Sequence, residues 1–323
     1  MLTDRFARHF TYLRLSLTER CNFRCNYCLP DGNDCDLGAD DLTLGEIRRL
    51  VTAFARQGTR KVRLTGGEPA LRRDLCDIIA LCKTTPGIEQ VALTSNGYNL
   101  KKSLSGWQQA GLDALNISVD SLDPAIFSRI TGADRLHDIL SGIDQALTMN
   151  FHKIKLNSVL LRQHNGQSLP AFLRFIRDRP LSLRFIELMR TNDNTRFYQQ
   201  QHLSGDSIRQ QLLADGWQLQ PRSDTDGPAL EYAHPDYAGR IGLIMPYSKD
   251  FCSSCNRLRV SSQAELFLCL FAEQHQSFRH LLQSDDSRAV EDFLQQAIVG
   301  KKESHFLHQQ NSGQTRHLAM IGG

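Results

Sequence analysis

Several common signatures are missing from this chain of 323 residues. No G-x4-G-K-S/T loop is present to cradle a phosphate, and no dinucleotide-binding glycine fingerprint follows any strand-like segment. No apolar run approaches the roughly 18 residues of a membrane-spanning helix, so no membrane association is expected. The opening stretch MLTDRFARHFTYLRL carries charge throughout and has no apolar core, which argues against a secretory leader and for a cytoplasmic protein. Charge of one sign is scarce. The 38 Lys and Arg nearly balance 35 Asp and Glu, and a net +3 does not by itself imply nucleic acid as a partner. Aromatic residues make up only 8%, an ordinary soluble composition, and no internal repeat or long low-complexity tract interrupts it.

Cysteine, by contrast, is plentiful, and its spacing carries most of the information. Nine cysteines without a leader point to metal or redox chemistry in a reducing compartment rather than to disulfides. Six fall into two triads. Cys21, Cys25 and Cys28 form C-x3-C-x2-C, and Cys252, Cys255 and Cys269 form C-x2-C-x13-C. Structural zinc and ordinary iron–sulfur clusters both close with four protein ligands. Three thiolates leave one iron of a cubane open to a small molecule, so two triads suggest two open clusters. Cys82 continues an apolar stripe and reads as core. Cys35 and Cys76 have no partner at ligand spacing.

Strand-like and helix-like segments alternate through the first two thirds. Strands are expected at 12–17, 61–65, 90–96, 114–120, 153–161 and 181–188. Helices are expected at 43–58, 71–83, 99–110, 124–130, 137–149 and 168–178. Such alternation implies a parallel sheet with right-handed crossovers. Six units without a dinucleotide fingerprint suit an α/β fold of the incomplete (β/α)6 TIM-like barrel type. Its chemistry is then expected at the C-terminal strand ends. The first triad, the turn Gly66-Gly67-Glu68-Pro69, Asn96-Gly97, Ser118 and Asp120 all fall there. The turn-rich segment 190–205 marks a boundary between a core barrel at 1–204 and a C-terminal region at 205–323 with the second triad. That region is expected to hold helices at 205–215 and 287–300 and an extended tail from Lys301.

An open iron can be chelated by the amine and carboxylate of S-adenosylmethionine. One electron from the reduced cluster then cleaves a carbon–sulfur bond and releases a 5′-deoxyadenosyl radical, which the protein must position and shield. A zinc site or a simple electron-transfer cluster remains an alternative for the spacing alone. Arg14 and Arg63 lie inside the first two barrel strands, where apolar residues are usual, and Lys155 lies on the fifth. Arg257 and Arg259 alternate with Leu258 and Val260, so both arginines share one face. Singly each would be an ion pair; together they suit an anionic ligand, since guanidinium forks match phosphate oxygens. Glu68 either accepts from the cofactor's amine or braces its loop. Asp120 is either catalytic or, the favoured reading, the cap of the following helix, and Trp107, Trp217 and the scattered histidines read as packing or surface residues.

C-x3-C-x2-C with Tyr27 before its third cysteine, followed by GGEP at 66–69, resembles the radical S-adenosylmethionine superfamily. Within it, LRLSLTERCNFRCNYC, VRLTGGEPALRRDL, LTSNG, NISVDSLD, RFIELM, KDFCSSCNRLRV, CLF and the terminal IGG resemble the GTP 3′,8-cyclases of molybdenum cofactor biosynthesis, essentially end to end. The resemblance implies that Cys21, Cys25 and Cys28 hold a 4Fe–4S cluster that binds S-adenosylmethionine, with Tyr27, Gly67, Ser118 and Met189 contacting that cofactor. It implies a second 4Fe–4S cluster on Cys252, Cys255 and Cys269, whose open iron meets guanine. Arg14, Arg63, Thr94, Lys155, Arg257, Leu258 and Arg259 match GTP-binding positions. Gly322 and Gly323 match a catalytic tail. A cyclic pyranopterin monophosphate synthase would take the product; the electron donor stays unnamed and the oligomeric state open, a homodimer included. A radical enzyme acting on peptide or RNA, and a plain electron carrier, are the rival readings.

Overall fold

The computed structural model describes residues 1–32, 41–149, 151, 153–222, 226–272, 274–305, 307–309, 312–313 and 318–322. Cys35, His317 and Gly323 lie outside the described residues. Six strands alternate with helices as the sequence pattern requires. These strands are β1 (Tyr12–Ser16), β2 (Lys61–Thr65), β3 (Gln90–Ser95), β4 (Ala114–Ser118), β5 (Lys153–Leu160) and β6 (Ser182–Glu187). Between them run α1 (Leu44–Arg56), α2 (Leu75–Thr84), α3 (Leu100–Gln109), α4 (Pro124–Thr131), α5 (Leu136–Thr148) and α6 (Leu169–Ile176). Helix α1 shows why the pattern works. Thr43 and Glu46 form a reciprocal capping box, and Ile47, Leu50, Val51 and Phe54 bury one face.

The remaining elements are α7 (Thr195–Gln201), α8 (Asp206–Ala214), β7 (Gln218–Leu219), β8 (Leu230–Ala233), β9 (Arg240–Ile244), β10 (Arg257–Val260), β11 (Glu265–Phe267), β12 (Gln276–Ser277) and α9 (Arg288–Ile298). They do not build a sheet of their own. One sheet runs β12-β11-β10-β1-β2-β3-β4-β5-β6-β9-β8-β7. Strand β10 pairs parallel to β1, and β9 pairs parallel to β6, so both flanks of the six-stranded core are extended from beyond residue 204. The order is open, as an incomplete barrel requires.

Alternation along each strand separates two environments. Leu13, Leu15, Val62, Leu64, Leu258 and Val260 are fully or almost fully buried in the apolar core. Tyr12, Arg14, Lys61, Arg63, Arg257 and Arg259 occupy the alternate positions of the same strands. The 190–205 segment, whose conformation the sequence leaves open, contains helix α7, anchored where the Gln201 side chain donates to the Gln163 side chain and accepts from its backbone. The described parts of the tail form short 3-10 turns at Leu307–Gln309 and Leu318–Met320 rather than an extended chain.

Candidate active site

Two cavities adjoin inside the barrel. The first, of about 940 Å³, is lined by Arg14, Arg63, Arg184, Arg257 and Arg259, with Tyr12 and the three cysteines of the second triad. No carboxylate lines it among the described residues. The second, of about 1090 Å³, is lined by Cys21, Cys25 and Cys28 with Tyr27, Gly67, Thr94, Ser118, Asp120, Glu187 and Met189. No lysine or arginine lines that one among the described residues. Asn157, Ile186 and Met189 line both and mark the junction.

The arginine cavity is built by strand alternation. Register places Arg14 beside Arg63 on one side and Arg259 on the other, with Tyr12 beside Arg257. Arg184 enters from β6, where one of its amino groups donates to Asn116 Oδ1 at 3.0 Å while its Nε has no hydrogen-bond partner among the described residues. The Nε of Arg63 is likewise buried without one among them. Lys61 and Arg63 stand over the Tyr12 ring at 5.0 and 5.5 Å. The crowding shows in the titration behaviour. Burial, then Arg63, lowers Arg184 to about 10. Burial, then Arg257, lowers Arg259 to about 10. Burial, then Arg63 and Arg184, brings Lys61 down to about 7. Tyr12 is pushed up by burial yet ends below its ordinary value because Arg63, Arg14, Arg257 and Arg184 outweigh it. Buried like charges on this scale are tolerated where an anion completes the site.

The second triad opens onto this cavity. Burial would raise the Cys255 thiol, but Lys301, Arg257 and Arg8 outweigh it and bring it to about 7. His305 lines the same cavity, yet both its ring nitrogens are engaged. Nε2 donates to the Pro246 carbonyl at 2.8 Å, and Nδ1 accepts from the Leu307 backbone at 3.0 Å. The His305 imidazole, the one histidine lining this cavity among the described residues, therefore does not complete a Cys3His set of the zinc type. Among the described residues no group of three or more His, Cys, Asp or Glu side chains could hold a single metal ion. A donor set of three soft thiolates beside an open cavity fits a cluster with one exchangeable corner.

The first triad sits among opposite charges. Burial raises all three thiols, Cys28 to about 12, and Asp120 adds to the rise at Cys25 and Cys28. Tyr27 donates from its hydroxyl to Asp120 Oδ2 at 3.0 Å, and Val159 N donates to Asp120 Oδ1 at 2.8 Å. Burial pushes Asp120 up to about 6. The cap of α4 is Asp123, which accepts from Ile126 N; the cap role expected of Asp120 is thus corrected. Glu68 is fully buried and accepts from Ala70 N, Ser95 Oγ and Asn96 N, so it braces its loop. Burial lifts its carboxyl to about 7. A Cβ at Gly67 would collide with the Arg20 carbonyl, so the glycine turn is pressed against the cysteine loop itself.

Other expected residues divide. Thr94 lines the carboxylate cavity, its buried hydroxyl without a hydrogen-bond partner among the described residues. Lys155 lines neither cavity. It pairs with Glu231 at 3.2 Å in an adjoining polar cavity that shares Arg184 with the first. Leu258 packs into the core on the opposite side of β10. Gly322 is buried between β10 and β2. Its carbonyl accepts from Arg259 at 2.8 Å, its φ is +62°, and a Cβ there would strike the Thr65 side chain. Arg184, Asn157 and Asp120 are additions to the site. Arg184 carries the same signal as Arg14 and Arg63, an arginine inside a barrel strand.

Comparison with known proteins bears on this geometry. Residues 15–176 match the model of the Radical SAM superfamily, and residues 181–307 match Molybdenum Cofactor Synthesis C. A protein of Vibrio cholerae named GTP 3′,8-cyclase is 53% identical over 323 residues, covering 99% of this chain and 97% of that protein. One of Yersinia pestis with the same name is 54% identical, covering 100% and 99%. Among solved structures, Streptococcus suis SuiB bound to S-adenosylmethionine aligns at a TM-score of 0.64 with 13% identity, over 90% of this chain and 68% of SuiB. That likeness concerns the fold.

Proposed function

The chain belongs to the radical S-adenosylmethionine superfamily and, within it, to the GTP 3′,8-cyclases of molybdenum cofactor biosynthesis, and from that membership we propose how its two cavities share the reaction. It is a radical lyase that uses S-adenosylmethionine and an iron–sulfur cluster to convert GTP to (8S)-3′,8-cyclo-7,8-dihydroguanosine 5′-triphosphate. In our reading Cys21, Cys25 and Cys28 hold that cluster, and Cys252, Cys255 and Cys269 hold a second 4Fe–4S cluster facing the base of GTP. The chemistry supplied at the first triad by a bound, reduced cluster and S-adenosylmethionine is one-electron cleavage of a carbon–sulfur bond.

The protein's own residues divide binding by charge. Asp120 and Glu187 give the carboxylate cavity a lining suited to a sulfonium and an amine. Tyr27, Gly67, Ser118 and Met189 shape its walls around the cofactor. Arg14, Arg63, Arg184, Arg257 and Arg259 hold the triphosphate by charge-assisted forks. Asn157 and Met189 sit where the two ligands meet, so the ribose faces the cofactor with water excluded. Gly322 keeps the tail thin enough to lie on Arg259. The product is a substrate for a cyclic pyranopterin monophosphate synthase.

The observation that carries this reading is the opposite charge of two adjoining cavities, each ending on a cysteine triad. Calorimetric titration under anaerobic conditions tests it. Arg184→Ala is expected to weaken GTP binding roughly ten- to a hundredfold, the loss of one charge-assisted contact, with S-adenosylmethionine affinity unchanged. Equal losses for both ligands would contradict the division.

A further inference from the structure

The N-terminal arm ahead of β1 makes an attachment that neither cavity explains. Asp4 accepts from the backbone of Phe6 and of Arg8, at 2.9 and 3.0 Å, and closes a tight loop in which Ala7 adopts a left-handed φ of 59°. This loop turns the Arg8 guanidinium inward. Both side chains are almost wholly buried, and Arg8 Nε meets Asp4 Oδ2 at 2.7 Å. Nη2 also meets Asp4 Oδ2 at 2.7 Å, and the two terminal nitrogens reach beyond the arm as well. Nη1 donates to the Cys252 carbonyl at 2.9 Å and to the Glu303 carbonyl at 2.8 Å, and Nη2 donates to the Lys302 carbonyl at 2.7 Å.

Those three carbonyls belong to the two segments that frame the second triad. Cys252 is itself a triad member. Residues 301–305 run past it, with Ser304 Oγ at 3.9 Å from Cys252 Sγ and Lys301 Nζ bonded to the Leu268 carbonyl, beside Cys269. Arg8 also lines the cavity, of about 1120 Å³, that holds all three cysteines on the side of residues 300–305. We infer that Arg8 is a positioning residue for the second metal centre, a buried clasp fixing the Cys252 loop against residues 302–303. The inference rests on the second triad holding a cluster.

The chemistry favours arginine. Five N–H groups in a planar fork can serve several in-plane acceptors at once, whereas a lysine ammonium is a point charge with three donors. Arg8→Lys keeps the charge opposite buried Asp4, and with it the fold, but loses most of the carbonyl contacts. Iron and sulfide analysis with Mössbauer and EPR spectroscopy of the anaerobically purified holoenzyme reads the result. In Arg8→Lys we expect iron to fall from about eight to about four atoms per chain, the loss of one four-iron cluster, with secondary structure by circular dichroism unchanged and the melting temperature lowered only by the loss of the bound cluster. The EPR response of the first cluster to S-adenosylmethionine is expected to persist, and the response to GTP to disappear. Arg8→Gln is expected to do the same with a lower melting temperature. Full iron and an intact GTP response in Arg8→Lys would overturn the inference alone. Parallel loss of both clusters would also overturn it, because a general structural role would act on both. A wild-type protein holding a single cluster would sink the two-cluster reading, and this inference with it.

Discussion

The two cysteine triads are alike in number and opposite in surroundings. The first lies on one continuous loop after β1, beside Asp120, with burial raising all three thiols. The second gathers cysteines on either side of β10 and β11, beside Lys301, Arg257 and Arg8, which carry Cys255 down to about 7. One faces a cavity lined by carboxylates, the other a cavity lined by arginines. The cysteines do not distinguish the two triads; the surrounding layer of charge does. In the function proposed above, that layer is what sends a cationic sulfonium to one side and a polyanion to the other, with Asn157 and Met189 between.

Exchanging the cysteines tests the contrast at its strongest. Cys25→Ser is expected to reduce 5′-deoxyadenosine formation below detection, whatever the GTP concentration. Cys255→Ser is expected to keep S-adenosylmethionine binding while cyclised product disappears. Quantifying both products by chromatography checks the pair, and identical phenotypes would erase the distinction. Gly322→Ala comes next. A left-handed φ and the contact with Thr65 leave no room for a methyl group, and expelling the tail is expected to slow turnover by about tenfold or more with cluster iron intact. Turnover at the wild-type rate would remove the tail from the site.

Smaller effects sharpen the comparison. Tyr27→Phe and Asp120→Asn each disturb one hydrogen bond on the carboxylate side. Each is expected to weaken S-adenosylmethionine binding roughly two- to tenfold, non-additively in the double variant, with GTP affinity unchanged. Glu46 lies away from both cavities and serves as a control. Hydrogen bonding to Arg279 holds its carboxyl at about 2, below the 4.5 of a free glutamate. A depressed carboxyl stabilises above the unfolded value and loses that contribution as pH falls through the folded one. Glu46→Gln is therefore expected to cost up to about 3 kcal/mol at neutral pH, a gap that narrows below about pH 5 and closes near 2. Anaerobic thermal unfolding against pH measures this, with both ligand affinities unaffected.

Local periodicity made the six β/α units legible, and strand-interior arginines announced the cationic cavity. What escaped depends on partners distant in sequence. Nothing near β9 or β10 says that each adds a parallel strand to the core, because their partners are β6 and β1. Lys155 is paired across the sheet with Glu231, 76 positions away. Arg184 was visible in principle, since it repeats the pattern of Arg14 and Arg63. So was the helix cap: Pro124 at the first turn marks Asp123, leaving Asp120 free to hold Tyr27. The Arg8 clasp joins residues 244 to 295 positions apart, beyond any local pattern.

The account rests on two clusters, each addressed by its own ligand. Mössbauer and EPR spectra of the anaerobically purified protein, recorded alone, with S-adenosylmethionine and with GTP, test this most directly. Two cubanes are expected, one perturbed only by S-adenosylmethionine and the other only by GTP. Zinc in place of iron at either triad, or a single cubane indifferent to nucleotide, would contradict it.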